Sequence, residues 1–531
     1  MPTHIQRESN KACVIRFTGI LMGVLSLAAC GLPTGGARTP STAMRTGNES
    51  TPLAAAVRPR VAAHPGQSGI HVLADAHDAL AARLALADIA KRSLDVQYFI
   101  WNKDMTGRVL IERLFRAADR GVRVRLLLDD LGTMPSDKVL LAIDSHPNIE
   151  VRMFNPVAMR SPRMLGIASD FARINKRMHN KSFTTDGQVA IVGGRNIGDE
   201  YYGAHAGANF ADLDVALIGP VVKQVSEEFD LYWNHKASIP IANLSRQNTT
   251  SDALAAERAV LGAHHRTAAD SAYAESLRDS EFARQLRSRN ISFYWGRATI
   301  VDDHPDKVLA SSADTETHLA PQLRKLADKT KRELFLVSPY FVPGKEGVAL
   351  LAAVRQRGAR VVVITNSLES TDGLPVHAGY QRYRKPLLEA GIELYEIKPA
   401  ATDRRKRRAG SGFFGSRGAS GSSGASLHAK TFAFDRRIGF VGSYNLDPRS
   451  SRLNTEMGVL FDCPELVKQL PETLELDMDR NMYRVELDGG RLVWVTREGD
   501  KEVRYTSEPE AGFSKRAKVQ VLSWLPIEWM L

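Results

Sequence analysis

Two short segments of the sequence carry the same spacing of histidine, lysine, aspartate and asparagine. The first reads His179-x-Lys181-x4-Asp186 and ends in a glycine pair before Asn196. The second repeats this spacing with four residues of the same types: His428, Lys430, Asp435 and Asn445. The two copies are 428 − 179 = 249 positions apart at all four residues. Such agreement indicates an internal duplication, because chance explains very little of it.

This set of side chains suits chemistry at a phosphodiester if the two copies meet in one site. Lysine ammonium groups would neutralise the non-bridging oxygens, and asparagine amides would donate further hydrogen bonds. One imidazole could attack phosphorus while the other protonates the leaving oxygen. A phosphohistidine would stand between the two displacements, and water would then give hydrolysis whereas an alcohol would give transfer. No acidic metal cage accompanies the motifs, and we expect neither a metal nor a cofactor.

An attacking imidazole must be held in one tautomer, which usually requires a carboxylate or carbonyl on its other nitrogen. Acidic residues lie at matching places after the two motifs, in the runs ADLDVALIG and RLNTEMGVLF. These runs pair Asp214 with Glu456, and Asp212 competes closely with Asp214. We expect these acids to orient the histidines, the alternative being that they cap strands or pair with surface lysines.

Strand and helix patterns alternate around the motifs. Residues 75–93 have helical apolar spacing and precede the β-rich run LDVQYFI. The helical run TGRVLIERLFRAADRG precedes VRVRLLLDD, whose nearly continuous apolar character is typical of a buried strand. Both patterns recur in the second half: ELFLVSPYF repeats the β-rich run, and AVRQRGARVVVITNS repeats the helix followed by a buried strand. The sequence therefore predicts an α/β fold of two tandem sandwich lobes, related by a pseudo-twofold axis and sharing one active site.

The N-terminus has the pattern of an export signal. Lys11 and Arg16 precede an apolar run, Phe17 to Cys30, that is too short for a comfortable membrane span. Its end, Leu-Ala-Ala-Cys30, resembles the bacterial lipobox, in which the cysteine is lipidated. We expect residues 1–30 to be a lipoprotein signal peptide, the alternative being an uncleaved helix. Gly31 is not the aspartate of an inner-membrane retention signal, which favours a periplasm-facing anchor in the outer membrane.

The remaining chain divides by composition into a linker and two lobes. Residues 31–68 are rich in Pro, Gly, Thr and Ala without an apolar period, and they predict a flexible tether. The lobes are expected at 69–270 and 271–531. A basic, Gly/Ser-rich insertion at 402–424 also carries Phe413-Phe414. It is either a solvated loop or an element that docks on an anionic bilayer.

The composition favours a globular protein with a polyanionic partner. Hydrophobic residues make up 43% of the chain and charged residues 25%. The net charge of +11 suits nucleic acid or an anionic membrane surface. Removal of the signal peptide and lipidation of Cys30 would leave Cys463 as the one free cysteine, so neither a disulfide nor a cysteine metal cluster is available.

The paired H-x-K-x4-D-x6-G-[GS]-x-N runs resemble those of the phospholipase D superfamily. Several longer runs are similar to the type C cardiolipin synthase group, among them DSHPNIEVRMFNP, GSYNLDPRSSRLNTEMG and the ending LPIEWML. The resemblance implies transfer of a phosphatidyl group from one phospholipid to the glycerol headgroup of phosphatidylglycerol. The phospholipid bilayer is then the expected partner, with phosphatidylglycerol and phosphatidylethanolamine as candidate substrates.

The resemblance also implies roles for individual residues. It makes His179 the nucleophile and His428 the general acid and base, an assignment that the spacing alone does not decide. Phosphate binding falls to four residues: Lys181, Lys430, Asn196 and Asn445. Asp186 and Asp435 would be largely structural.

Three other functions remain compatible with the same features. An envelope location leaves hydrolysis of lipid to phosphatidic acid as an alternative, since it would use the same residues. Superfamily nucleases share the catalytic set, and the basic charge suits DNA, but an acyl anchor would hold the site next to lipid and disfavours nucleic acid. A non-catalytic envelope scaffold would require at least one degraded motif, and both motifs are intact. The sequence does not decide whether an accessory protein is needed.

Overall fold

The computed structural model describes residues 32, 38–44, 47–205, 207, 209–245, 251–269, 271–310, 318–399, 425–476 and 478–531. The expected signal peptide with Cys30 and the basic insertion at 402–424 lie outside these residues. Within the described part of the chain, no helix combines the length and apolar character needed to cross a bilayer.

Both lobes contribute strands to one mixed sheet, and one further strand from each lobe, β7 and β14 below, forms a separate two-stranded sheet. The first lobe supplies β1 (Ser68–Leu73), β2 (Ser93–Tyr98), β3 (Arg123–Asp129), β4 (Ile149–Phe154), β5 (Ser182–Thr185), β6 (Val189–Gly193), β7 (Asn209–Ala211), β8 (Asp214–Ile218) and β9 (Ser238–Pro240). The second lobe supplies β10 (Tyr294–Asp302), β11 (Glu333–Val337), β12 (Arg360–Asn366), β13 (Glu393–Ile397), β14 (Ala425–Leu427), β15 (Lys430–Phe434), β16 (Ile438–Gly442), β17 (Met457–Asp462), β18 (Met482–Asp488), β19 (Arg491–Glu498) and β20 (Lys501–Tyr505).

The order of the strands shows the duplication directly. In the first lobe the order is β9-β4-β3-β2-β5-β6-β8-β1, with β2, β3 and β4 parallel to one another. The second lobe continues as β10-β17-β16-β15-β11-β12-β13-β18-β19-β20, with β11, β12 and β13 parallel. Antiparallel pairing of β1 with β10 joins the halves. The pseudo-twofold axis therefore passes between these two strands, and the predicted tandem α/β architecture is confirmed.

Helices cover both faces of the sheet. They are α1 (Pro52–Ala62), α2 (Ala76–Ile89), α3 (Met105–Asp119), α4 (Asp137–Asp144), α5 (Arg163–Ser169), α6 (Phe171–Ile174), α7 (Val221–Trp233), α8 (Ile241–Leu244), α9 (Ser251–Ala269), α10 (Ala272–Arg278), α11 (Glu281–Arg287), α12 (Leu319–Lys329), α13 (Gly344–Gln356), α14 (Leu374–Tyr380), α15 (Arg384–Glu389), α16 (Pro448–Arg452), α17 (Pro464–Val467), α18 (Gln469–Glu475), α19 (Met478–Asn481) and α20 (Phe513–Trp524). Short 3-10 turns occur at Asp199–Tyr201, Pro305–Val308 and Glu528–Met530.

One apolar core is shared between the lobes and fixes how they sit together. Val192 and Leu217 of the first lobe belong to the same buried cluster as Val441 and Val459 of the second. Separate cores fill the outer layers, where α2 and α3 cover the first lobe and α12 and α13 cover the second. Burial of apolar surface between the lobes favours one fixed arrangement, so the loops that end in the two motifs meet at a defined place.

The segment expected to be a flexible tether is folded over much of its length, and that prediction is wrong for residues 52–62. These residues form α1, whose first turn is capped by the Thr51 hydroxyl and whose Leu53 and Val57 are buried. Upstream, the backbone amide of Ala43 donates to the carboxylate of Asp230 at 2.9 Å. The composition does not predict this helix, because α1 has only one short apolar stripe and is stabilised by tertiary contacts.

The helices after residue 270 pack with the first lobe. Phe282 of α11 is buried, and its amide donates to Asp78 of α2 at 2.7 Å. Tyr273 of α10 donates its hydroxyl to the carbonyl of Tyr202 at 2.7 Å. By packing, the first lobe therefore extends to Arg287, and the second lobe begins at β10.

Candidate active site

Each motif histidine is placed by a strand that crosses to the opposite lobe. Met178 forms a parallel bridge with Thr455, and the amide of His179 donates to the Thr455 carbonyl at 2.8 Å. The second motif does the same, because β14 pairs with β7 and the amide of His428 donates to the Ala211 carbonyl at 2.8 Å. The two crossings bring both histidines into the interface between the lobes, where each is buried.

Each imidazole binds a carboxylate from the other lobe. Nδ1 of His179 lies 2.7 Å from Oε2 of Glu456, and Nδ1 of His428 lies 2.6 Å from Oδ2 of Asp212. A carboxylate at Nδ1 holds the proton on that nitrogen and leaves the Nε2 lone pair available. Each site is thus completed by the opposite half of the chain.

Asp214 does not orient a histidine, so that expectation is wrong, whereas its competitor Asp212 takes this role. Oδ2 of Asp214 lies 2.8 Å from Arg83 in a fully buried ion pair. The strand register explains the difference, since Gly193 pairs with Asp214 in the first lobe and Gly442 pairs with Gly458 in the second. The counterpart of Asp214 in the second lobe is therefore Gly458. The counterpart of Glu456 in the first lobe is the residue two positions before Asp214, which is Asp212.

The glycines that close the two motifs make room for these carboxylates. A Cβ atom on Gly194 would overlap Oδ1 of Asp212, and one on Gly193 would overlap Asp214. The second motif has Ser443 in place of Gly194, and its hydroxyl donates to Oε2 of Glu456. The second glycine of the first motif therefore leaves space for Asp212, whereas the serine of the second motif holds Glu456 through a hydrogen bond.

Burial sets the charge states of the imidazoles and lysines. Desolvation lowers the pKa of His179 well below its ordinary value, and the neighbouring lysines lower it further. Burial also lowers the pKa of His428, and Lys430 adds to this effect. The pKa of Lys181 falls to about 7 and that of Lys430 to about 8, in both cases mainly through desolvation. An incoming phosphate would restore the charge of both lysines.

The two carboxylates differ in their affinity for protons. Burial raises the pKa of Glu456 to about 7, against smaller opposing effects from Lys181 and the serine hydroxyls. Burial also acts to raise the pKa of Asp212, but the attraction of His428, its hydrogen bond and Lys430 outweigh it, and the net shift is downward. The carboxylate behind His428 is therefore the more firmly ionised one.

The motif asparagines and aspartates lie in different surroundings. Asn196 is fully buried; its Oδ1 accepts from the Ile100 amide at 3.1 Å, and its Nδ2 donates to the Tyr201 hydroxyl at 2.9 Å. Asn445 is also buried, but its Oδ1 has no hydrogen-bond partner among the described residues. Asp186 accepts from the backbone amides of residues 91–93, and Asp435 does the same for residues 331–333. Both aspartates therefore hold turns together.

Three positioning residues carry no sequence signal that could have identified them. Asp129 accepts from the Met178 amide at 3.0 Å, and Asn366 accepts from the Leu427 amide at 3.0 Å, so each fixes the residue before a motif histidine. Asp303 accepts from the Glu456 amide at 2.9 Å and pairs with Lys307. Asp303 is followed by a 3-10 turn at Pro305–Val308, and the described residues contain no cluster of three or more metal-ligating side chains.

Comparison with known proteins places this geometry in a family. The family described as "Cardiolipin synthase, PLD-like domain" matches residues 84–233 and 323–478. "Cardiolipin synthase C" of Escherichia coli K12 is 43% identical over 90% of this chain and 99% of that protein. "Major cardiolipin synthase ClsA" of Bacillus subtilis 168 is 24% identical over 77% of this chain and 69% of that protein.

The crystal structure of phosphatidylserine synthase from Haemophilus influenzae Rd KW20 shares the fold. It matches 90% of this chain and 100% of its own with a TM-score of 0.55 and 13% sequence identity, a likeness of fold alone. The chain belongs to the phospholipase D superfamily and, within it, to the cardiolipin synthase group. The resemblance drawn from the motifs and the prediction of an enzyme are confirmed.

Proposed function

We propose that the protein is a phosphatidyltransferase that moves a phosphatidyl group between phospholipids through a phosphohistidine on His179. The observation that carries the proposal is the exchange of carboxylates between the lobes, which presents two imidazoles of fixed tautomer beside two buried lysines. Such a site supplies a nucleophile, a proton carrier and two charges for a phosphate that arrives with its own negative charge.

In the first step, Nε2 of His179 attacks phosphorus and the bond to the leaving alcohol breaks. With the anionic phosphate bound, His428 carries a second proton, which it gives from Nε2 to the leaving oxygen, and the ionised Asp212 stabilises this imidazolium. Lys181 and Lys430 bind the non-bridging oxygens, whose negative charge increases in the transition state. The products are the free alcohol and a phosphatidyl group bound to His179.

In the second step, the hydroxyl of the acceptor lipid attacks phosphorus and the P–N bond breaks. The neutral His428 takes the proton of that hydroxyl, which returns both imidazoles to their starting states. Phosphatidylglycerol suits this step as acceptor because its headgroup ends in an alcohol. Water in the same place would give phosphatidic acid, which makes hydrolysis the second candidate function.

A mass-spectrometric product assay tests the reaction. The full chain is mixed with vesicles of phosphatidylglycerol and phosphatidylethanolamine, beside the His428→Ala variant as control. We expect cardiolipin with the unaltered chain alone, and the lipid that declines identifies the donor. Phosphatidic acid as the only new lipid would replace transferase by hydrolase. The absence of any new lipid, under conditions where DNA is cleaved, would refute a lipid substrate.

We also propose that the protein is a lipoprotein anchored at Cys30 and facing the periplasm, with the bilayer as its partner. The support is the apolar run that ends in Leu-Ala-Ala-Cys and the membrane-embedded nature of the proposed substrates. Cys30→Ser should move the protein from the membrane fraction to the soluble fraction and abolish incorporation of labelled palmitate. Unchanged labelling and fractionation in this variant would refute the anchor.

A further inference from the structure

A cavity in the second lobe is lined by none of the motif histidines and lysines. Its volume of about 840 Å³ falls within the ~300–1,000 Å³ range of ligand sites. It lies between the sheet and the helices α12 and α13. Leu334 and Phe432 form its sheet side, and Leu323, Leu350 and Leu351 form its helix side. The interior is therefore apolar.

The two lobes can be aligned around this cavity residue by residue. Trp101 bridges Ile197 in the first lobe as Phe341 bridges Leu446 in the second. The helices α2 and α12 end 329 − 89 = 240 positions apart, which is also the separation of Trp101 and Phe341. The layers that contain these helices are thus equivalent in the two lobes.

Large side chains fill the corresponding space in the first lobe. Arg83, Trp101 and Tyr202 are among the largest fully buried side chains of the described chain. The residues at the equivalent positions of the second lobe are smaller and line the cavity: Leu323, Phe341 and Ser451. The second lobe has therefore lost bulk at three positions that face one space, although close packing is the normal state of a protein interior.

The cavity adjoins the catalytic centre. Its wall includes Tyr444, Leu446 and Asp447. These residues are next to the motif residues Ser443 and Asn445 in the sequence. Asp447 accepts a hydrogen bond from the amide of Ser450 at 2.7 Å, and the hydroxyl of Ser450 donates to Oε1 of Glu456 at 2.7 Å. A molecule in the cavity would therefore extend from the edge of the reaction site.

The mouth of the cavity carries an exposed tryptophan and charges of both signs. Trp529 lines it with 57% of its surface exposed. The charged lining residues are three basic ones, Arg324, Lys345 and Arg452, and three acidic ones, Glu346, Asp447 and Glu528. Tryptophan favours the boundary between water and hydrocarbon, and the basic side chains attract lipid phosphate. An apolar interior with an aromatic, charged rim matches an amphipathic lipid better than a soluble metabolite.

We infer that this cavity holds an acyl chain of the phospholipid substrate while the headgroup lies at its rim, next to the catalytic centre. The inference rests on the proposed function and assigns a chain-binding site to it. Binding one chain here would fix the phosphate relative to His179, because the chain and the headgroup belong to one molecule.

Filling the cavity tests the inference by chain length. Leu350→Trp and Ala320→Phe place bulk in the cavity, and Ala349→Trp places the same bulk on the exposed side of α13. Rates are measured with dioleoyl and dihexanoyl phosphatidylglycerol in detergent micelles. We expect the cavity variants to raise KM for the dioleoyl lipid at least tenfold, with the dihexanoyl rate within twofold, while Ala349→Trp changes neither.

Equal changes for both lipids, or the same change in Ala349→Trp, would overturn the inference. Photocrosslinking provides a test that does not depend on cavity variants. A phosphatidylglycerol with a diazirine in its acyl chain is bound to the His179→Ala chain, and the labelled peptides are mapped. Labels on α12 or α13 are expected, and labels confined to other regions would refute the site. An unaltered chain that labels in the same way but turns over no lipid would instead refute the proposed function.

Discussion

The two histidines each bind one carboxylate through Nδ1, but the carboxylates differ, and the difference indicates different roles. His179 is paired with Glu456, whose pKa burial raises to about 7. His428 is paired with Asp212, whose pKa is lowered on balance because its cationic neighbours outweigh its burial. An imidazole beside a firmly ionised carboxylate holds a second proton more readily. The comparison therefore favours His428 as the proton carrier and leaves His179 neutral, as a nucleophile must be.

Replacing each histidine should have the largest effect and should separate the two roles. His179→Ala and His428→Ala should each abolish transfer between natural lipids. With phosphatidyl-p-nitrophenol the leaving group needs no proton, so His428→Ala should still release one equivalent of p-nitrophenol in a burst, whereas His179→Ala should release none. Stopped-flow absorbance measures the burst.

Mass spectrometry on the burst product identifies the residue that carries the phosphatidyl group. A label on His179 in the His428→Ala variant agrees with the assignment. A burst in His179→Ala, with the label on His428, would exchange the two roles and overturn the comparison of the carboxylates.

Asp212 and Asp214 lie two positions apart and should respond in opposite ways to loss of charge. Asp212→Asn should lower kcat by about 10²–10⁴-fold with little change in stability, because the imidazolium of His428 loses its counter-charge. Asp214→Asn should lower the free energy of unfolding by ~3–5 kcal/mol, because it breaks a buried ion pair with Arg83. Denaturant unfolding and kcat per folded molecule distinguish them, and a catalytic loss confined to Asp214→Asn would contradict the observed pairing.

The dependence of activity on pH should reveal the carboxylate behind His179. Glu456, with a pKa of about 7, takes up a proton as the pH falls below that value and then no longer holds the Nδ1–H tautomer of His179. Lys181, with its pKa of about 7, loses its charge as the pH rises. We expect a narrow maximum of kcat/KM near pH 7, which reports these groups in the free enzyme.

Glu456→Gln removes the group that takes up a proton below pH 7. It should therefore remove the fall of kcat/KM on the acid side of the maximum (the acid limb of the profile) and lower kcat at every pH. Asp212→Asn should lower kcat without moving the acid limb, because Asp212 stays ionised across this range. The pair of profiles from pH 5 to 9 provides the measurement. An unchanged acid limb in Glu456→Gln would assign that limb to another group.

The duplicated motif and the strand pattern were enough to predict the fold and most of the site. Both depend on local spacing, which a single sequence displays. The carboxylate partner of each histidine was harder to predict, because the two residues meet only where the backbone of one lobe pairs with that of the other. Two candidate acids at Asp212 and Asp214 precede the same apolar run, and only the pairing of Gly193 with Asp214 decides between them.

Other parts of the structure carry no local signal. The helix α1 depends on contacts with residues far along the chain, and its composition resembles a linker. Asp129 ends β3 and Asp303 follows β10, and their importance follows from the backbone amides that the fold brings to them. Long-range hydrogen bonds of this kind become visible only when the chain is folded.

The smallest expected effect comes from the serine hydroxyl that partly offsets the effect of burial on the pKa of Glu456. Ser443→Gly gives the second motif the Gly-Gly pair of the first and removes a hydroxyl that donates to Glu456. Since hydrogen bonds to a carboxylate favour its ionised form, their loss should raise the pKa of Glu456. The acid limb of the pH profile should move upward by ~0.5–1 unit, the equivalent of a ~1 kcal/mol hydrogen bond.

The reciprocal change, Gly194→Ser, is not equally mild, because its Cβ would overlap Oδ1 of Asp212. It should cost activity at every pH by displacing the carboxylate from His428. Titration of kcat/KM in both variants separates the two mechanisms. An acid limb that stays in place in Ser443→Gly would show that the hydroxyl does not offset the effect of burial on the pKa of Glu456. The serine would then be a packing residue, and the asymmetry of the two sites would lie in the depth of each carboxylate.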